Sequence, residues 1–289
     1  MSVLVASSLD EVLARLAVEP STLVLAGGTD LMVEMNLGHG TVARSAASVV
    51  SVNRVRELRS WTVDRAAGTL RLGAAVTYAE LAAEPLASLA PALAQAARTV
   101  GSPQIRNAAT IGGNVGTSSP AGDGLPVLAA LEAVVHLASV SGVRDVPFAQ
   151  FATGPKRTVR RPDELITAVT VPILDGYQGY TKVGVRNAMV IATASACLAI
   201  DVPTRSVRMA LGSVGPVILR APEAEALVVA TADFSAGTIS ADAAQAFAAA
   251  TAGAARPIDD HRSSAAYRRH AIEVLAARLI RRAFPGEAP

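Results

Sequence analysis

The stretch Thr110-Ile111-Gly112-Gly113-Asn114-Val115-Gly116-Thr117-Ser118-Ser119-Pro120-Ala121-Gly122-Asp123 combines four glycines, five hydroxyl or amide side chains and one carboxylate with almost no bulk. Such a segment suits a loop that brings its backbone close to a ligand. Glycine puts no side chain in the way, and successive N–H groups form a concave donor site for an anion. The pattern has an upstream echo in Leu25-Ala26-Gly27-Gly28-Thr29-Asp30-Leu31, which follows the apolar run Leu23 to Ala26 and precedes the helix-like segment Leu31 to Asn36. Two separated glycine loops suggest a ligand with a long anionic middle, such as a dinucleotide. A Gly-Gly pair also serves as a simple tight turn between a strand and the next element. Neither G-x-G-x-x-G with a later acid nor G-x-x-x-x-G-K-S/T is present, so a Rossmann nicotinamide site and a P-loop are not supported.

The 289 residues are 51% hydrophobic and 17% charged, as in ordinary globular proteins. The mean hydropathy of +0.38 comes largely from alanine, and no run of about eighteen apolar residues offers a bilayer span. Met1-Ser2-Val3-Leu4-Val5 lacks the basic region ahead of an apolar stretch that marks a secretory signal, so a cytoplasmic location is expected. The one cysteine, Cys197, rules out a disulfide or an iron–sulfur cluster built from these residues, and its apolar surroundings suggest a small buried hydrophobe. His39, His136, His261 and His270 show no paired metal spacing. His39 follows the first glycine loop closely enough to raise covalent attachment of a ligand bound there, with a solvated loop histidine as the plainer reading. Net charge is only +2, few aromatics are available to stack bases, and nucleic acid is a poor partner.

Capping signals at Ser8-Leu9-Asp10-Glu11 and Thr77-Tyr78-Ala79-Glu80 predict two helix starts. Strands are expected at Ser48 to Val52, Gly68 to Ala75, Val134 to Ala138, Leu165 to Val171, Ser195 to Ile200 and Val207 to Gly212. Helices are expected at Pro91 to Thr99, Leu125 to Leu131, Pro222 to Ala230 and Ala241 to Thr251, and from about Ser263 onward. Gln104, Arg106 and Asn107 fall in a loop on this reading. The last helix places Tyr267, Ala271, Val274, Leu275 and Leu279 on a packing face and leaves Arg268, Arg269, Arg278, Arg281 and Arg282 for the wet one. Pro172 to Gly179 reads as punctuation between domains. Strands and helices without regular βαβ alternation argue for α+β in place of a doubly wound sheet.

AGGTDL at 26–31 and G-x-P-Q-I-R-N-x-A-T-I-G-G-N at 101–114, continuing through SPAGD at 119–123, resemble the FAD-binding medium subunit of the molybdenum hydroxylases. That family includes xanthine dehydrogenase, the aerobic carbon monoxide dehydrogenases and bacterial aromatic-heterocycle dehydrogenases. Later segments are similar in the same order: Tyr180-Thr181-Lys182 with Arg186, Gly212-Ser213-Val214-Gly215-Pro216, Arg220-Ala221 with Glu223-Ala224-Glu225, and Asp260 to Arg268.

The resemblance implies an α+β fold. Residues 1–174 would form a two-part FAD-binding domain of the PCMH or vanillyl-alcohol-oxidase type, and 175–285 a smaller α+β C-terminal domain. It also implies FAD on this chain, with a molybdenum cofactor and two 2Fe-2S clusters on a large and a small partner subunit, likened to a dimer of heterotrimers. Flavin contacts carry over to Val24, Leu25, Ala26, Gly27, Gly28, Thr29, Asp30, Leu31, Val100, Thr110, Ile111, Gly112, Gly113, Asn114, Thr117, Asp123, Ile166 and Lys182.

On the residues themselves, backbone amides of Gly27 to Thr29 and of Gly112 to Asn114 would meet the pyrophosphate, and the helix from Leu31 would add its dipole. Thr110, Asn114 and Thr117 offer hydroxyl and amide groups, and Asp123 can accept from sugar hydroxyls. Asp30 should turn away from a phosphate to cap the helix or bond the loop. Lys182 reads either as a solvated strand lysine or, by resemblance, as a cation beside the isoalloxazine that favours the reduced flavin. Arg186 lacks the acidic neighbour usual in the family. The chain is therefore expected to be an electron-transfer flavoprotein subunit with NAD, oxygen or a quinone as acceptor. A self-sufficient flavin oxidase or reductase of the same fold and a non-catalytic scaffold are the alternatives.

Overall fold

The computed structural model describes residues 2–37 and 48–287, so His39 lies outside the described residues. The N-terminal part builds a parallel three-stranded sheet ordered Ser2–Val5, Ser48–Ser51, Leu23–Leu25. The helix Leu9–Val18 packs on it, because Val12, Leu13 and Leu16 recur on one face and join Val50 and Val52 in a small core. Ser8 caps this helix at the Glu11 N–H, while the Glu11 carboxylate accepts from the backbone and hydroxyl of Ser7. At Thr77 the reciprocal capping box is complete.

A second sheet is antiparallel, in the order Trp61–Asp64, Thr69–Gly73, Leu165–Pro172, Val134–Ser139, Gly142–Pro147. Its central strand Leu165–Pro172 places Ile166 near the exit of Thr69–Gly73, where the chain turns into Ala74-Ala75-Val76. A helical layer follows at Pro91–Thr99, Pro103–Ala108, Ile111–Thr117 and Gly124–Ala130. Two of these helices stand where a loop was expected. Ser102 caps the Ile105 N–H and so starts Pro103–Ala108 around Gln104, Arg106 and Asn107. Thr110 caps the Gly113 N–H, and Ser118 ends the turn in the left-handed region at φ 47°, so the second glycine segment is itself a helix.

The third sheet is antiparallel, ordered Gln178–Val183, Ala194–Asp201, Ser206–Gly212, Leu219–Arg220. Helices Pro222–Thr231, Ala241–Ala254 and Ala265–Ala283 cover one face, while the other packs on Pro91–Thr99 and Gly124–Ala130. The strand Ala194–Asp201 shows why small residues are needed there. Cys197 and Ala199 point into the core shared with the N-terminal part, and Ala194, Ala196, Leu198 and Ile200 into the C-terminal core, an alternation with period two. Cys197 is fully buried, as expected for a small hydrophobe.

A parallel sheet and two antiparallel sheets with separate helical layers make the chain α+β. The strands Ser2–Val5, Trp61–Asp64 and Gly142–Pro147 were not anticipated; the last two alternate too weakly to stand out. On the last helix two expectations reverse. Tyr267 is 50% exposed, whereas Arg268 is 2% exposed, held by Asp260 and the Ser213 carbonyl.

Candidate functional site

A cavity of about 690 Å³ opens where the three-stranded sheet, the antiparallel sheet and the helical layer meet. The first glycine loop, the helix Ile111–Thr117 and the start of Leu165–Pro172 form its walls. Residues 189–191, from the turn after Gln178–Val183, stand at its edge. Of the residues proposed from sequence, Val24 to Leu31, Val100, Thr110, Gly112, Gly113, Asn114, Thr117, Asp123 and Ile166 line it. Ile111 and Lys182 do not. Ile111 is fully buried in the core, its N–H given to Val76 O at 3.0 Å.

The first loop leaves its backbone open. A Cβ on Gly27 would overlap the Ala108 carbonyl, and Gly28 sits at φ 70°, so both glycines are required by geometry. Among the described residues, no protein acceptor meets the N–H groups of Gly27, Gly28, Thr29, Asp30 or Leu31. Asp30 turns aside, as expected, and its Oδ2 accepts a hydrogen bond of 3.1 Å from Thr117 Oγ1. That bond joins the two glycine segments.

The second segment behaves in the opposite way, which corrects the expectation of two donor loops. Gly112 donates to Ala74 O at 2.8 Å, Gly113 to Thr110 Oγ1 at 3.0 Å, and Asn114 to Thr110 O at 3.0 Å. Its amides are therefore occupied by protein. A Cβ on Gly112 would lie 2.5 Å from Ala74 Cβ, so this glycine serves close packing. A Cβ on Gly113 would meet only Thr110 Oγ1, at 3.0 Å, and one on Gly116 only Ile166 Cδ1, at 3.4 Å, so these two glycines give the helix a bare face along the cavity. The Thr110 hydroxyl caps the helix, and Asn114 Oδ1 accepts from the Tyr78 hydroxyl at 2.6 Å, leaving the Asn114 NH2 group as a donor.

Asp123 closes one end of the cavity with both oxygens engaged. Oδ1 accepts from the Tyr180 hydroxyl at 2.7 Å and Oδ2 from Lys182 Nζ at 2.6 Å. Lys182 also donates to Thr99 O at 3.0 Å and Val190 O at 3.1 Å. The Asp123 and Lys182 side chains are each only 9% exposed, so Lys182 is no solvated strand lysine. Nor does Lys182 line the cavity; its ammonium is held by Asp123, which does line it and offsets its charge. Burial pushes the Asp123 carboxyl upward against the pull of Lys182 and Tyr180, and pushes the Tyr180 and Tyr78 hydroxyls up as well. Arg186 is turned onto its own loop, bonding the carbonyls of Ala188 and Met189.

Several wall residues have no clear sequence signal. Tyr78 sits inside the capping box at Thr77, and Glu164 is buried and clamped by Arg144 through bonds of 2.6 and 2.8 Å. Lys156, which pairs with Glu34, and Arg160 belong to a basic run that reads as a solvated surface. The family-like motifs beyond Arg186 meet one another away from the cavity. Arg220 grips Glu225 at 2.7 and 2.8 Å, and Asp260 bridges Arg262 and buried Arg268. Ser213 donates its N–H to Pro120 O at 2.8 Å, which fastens this region to the SPAGD segment. Among the described residues, no group of histidine, cysteine or carboxylate side chains is placed to hold a metal ion.

Residues 1–174 match the family described as the FAD binding domain in molybdopterin dehydrogenase, and residues 179–283 match the CO dehydrogenase flavoprotein C-terminal domain. The chain is 33% identical to the glyceraldehyde dehydrogenase medium chain of Sulfolobus acidocaldarius over 280 residues, covering 96% of this chain and 95% of the relative. It is 28% identical to the carbon monoxide dehydrogenase medium chain of Hydrogenophaga pseudoflava, covering 90% and 87%. Among solved structures, a carbon monoxide dehydrogenase from Hydrogenophaga pseudoflava superimposes with a TM-score of 0.88 at 28% identity, covering 100% of this chain and 98% of the other.

Proposed function

Because the chain belongs to the FAD-binding subunits of the molybdenum hydroxylase family, oxidoreductases of the xanthine and carbon monoxide dehydrogenase type, we propose that it is the electron-transfer flavoprotein of such a complex. Electrons released at a molybdenum cofactor on a large partner would pass through two 2Fe-2S clusters on a small partner, and from FAD on this chain to an external acceptor. The assembly would be a cytoplasmic dimer of heterotrimers; no described helix is long and apolar enough to cross a membrane. The single, fully buried cysteine supports this division of labour, since these residues give a cluster no set of thiolates.

The observation that carries the reading is the pairing of five N–H groups at Gly27 to Leu31, unmet among the described residues, with the bare helix face of Gly113 and Gly116, on one cavity. A buried anion leaves water only where donors replace its hydration. The free amides of the first loop meet that need for a diphosphate, and the missing side chains of the second segment leave room for it. Leu25, Val100, Ile105 and Ile166 offer apolar surface to ring systems. Asp123, fixed by Lys182 and Tyr180, presents its remaining lone pairs to hydroxyl groups. When bound, FAD supplies the exchange between two-electron and one-electron carriers. The chain's own residues hold it, orient it and shield it from water. We assign 1–174 to FAD binding and 175–285 to a C-terminal domain that supplies Lys182 and Tyr180.

The test is the absorption spectrum of the purified chain before and after acid precipitation. One FAD per chain, released into the supernatant, is expected. A colourless protein overturns the reading, and flavin that stays in the pellet overturns the non-covalent mode. Reduction of the flavin by an organic substrate in the isolated chain would favour a self-sufficient oxidase.

A further inference from the structure

Six charged side chains border the cavity: Asp30, Glu34, Asp123, Glu164, Lys156 and Arg160. Three of the carboxylates are matched by cations, Glu34 by Lys156, Asp123 by Lys182 and Glu164 by the two-point grip of Arg144. Asp30 holds the Thr117 hydroxyl. Arg160 differs from the other wall cation. Its Nη1 donates to two carbonyl oxygens, of Arg161 at 3.1 Å and of Glu164 at 2.7 Å, and among the described residues no carboxylate lies within ion-pair distance. Its Nε and Nη2 have no acceptor among the described residues. Burial holds this guanidinium below its usual range, against the more distant charges of Glu164 and Asp163.

A half-buried cation without a counter-ion is costly to keep unless an anion joins it. Its position narrows the choice of anion. Lys156, four residues earlier, is tied to Glu34, one turn into the helix Leu31–Leu37 that the first glycine loop opens. Arg160 and the free amides of Gly27 to Leu31 thus border the same compartment. A planar fork of donors with neighbouring amides suits adjacent phosphate groups, which a carboxylate would not fill.

We propose that Arg160 is the counter-ion of a diphosphate bound in this cavity, donating Nε and Nη2 hydrogens to phosphate oxygens while the amides of the first glycine loop meet others. This rests on the FAD reading above. The diphosphate belongs either to FAD itself or to a nicotinamide dinucleotide serving as acceptor.

The full chain, stripped of flavin, is titrated with FAD and with riboflavin, which lacks phosphate, as wild type, R160Q and R160K. If FAD is the source, R160Q weakens FAD binding about ten- to a hundredfold, leaves riboflavin unchanged and flattens the salt dependence of FAD affinity. R160K recovers part of the loss. If the acceptor is the source, FAD affinity holds, and the NADH concentration for half-maximal flavin reduction rises about tenfold in R160Q. Should R160Q melt far below wild type, R160K alone decides, by a several-fold effect on FAD or NADH with riboflavin unchanged. Variants indistinguishable from wild type toward both FAD and NADH overturn the proposal. A wild-type chain that takes up no FAD overturns the underlying reading instead.

Discussion

At Gly27-Gly28 the backbone keeps its amides free of acceptors among the described residues and relies on glycine for a left-handed turn and a close crossing of Ala108. At Gly112-Gly113 the amides are closed off by Ala74 O and the Thr110 hydroxyl, and glycine instead leaves a helix thin enough to press on Ala74 and bare along the cavity. One region offers donors; the other offers space. The same dipeptide therefore does two jobs, and a glycine pair identifies a phosphate-binding loop only once the partners of its N–H groups are known.

The largest effect is expected where the space-giving region is braced. Lys182→Met leaves the Asp123 carboxylate buried without its cation, so denaturant titration should show a loss of about 3–5 kcal/mol. A loss below about 1 kcal/mol would mean that the brace is not needed and that the two regions are closer in kind than the hydrogen bonds say. Next comes the contrast within the dipeptide itself. Gly112→Ala should cost about 2 kcal/mol of stability, from a Cβ 2.5 Å from Ala74 Cβ. Gly113→Val should keep stability within about 1 kcal/mol while FAD affinity, read by flavin fluorescence, falls roughly a hundredfold. Equal melting temperatures for the two variants would break the division between packing and space. The smallest effect belongs to the bond that joins the regions. Thr117→Val removes the hydroxyl that Asp30 accepts and should cost about 0.5–1 kcal/mol in urea titration. No change would mean that the two segments hold their spacing independently.

Much of this fold is legible because local rules decide it. Pro91 at the first helical position and Thr77 with Glu80 set helix starts that tertiary contacts had no reason to move. The glycine-rich helix was hidden for the converse reason. Glycine is a poor helix former, and what closes Ile111–Thr117 is the carbonyls of Ala74 and Val76, more than thirty residues away. Most cavity residues follow from the two glycine segments. Lys182 was ambiguous because an apolar strand gives no hint of a partner, and Asp123 reaches it only when the third sheet packs on the helical layer. Arg160 was invisible in its basic run, since a solvated arginine and an unmatched one have the same neighbours in sequence.

The strand Ala194–Asp201 buries alternate residues in two different cores, so it belongs to both halves of the chain at once. The break between the two family matches, at residues 174–179, is therefore not a seam in mechanics. A fragment ending there would bare the apolar sides of Pro91–Thr99 and Gly124–Ala130 and deprive Asp123 of Lys182 and Tyr180. Exchange of parts between relatives has to respect this shared wall: chimaeras that carry the third sheet together with the two helices beneath it keep Asp123 with Lys182 and Tyr180, and those cut at the seam part them.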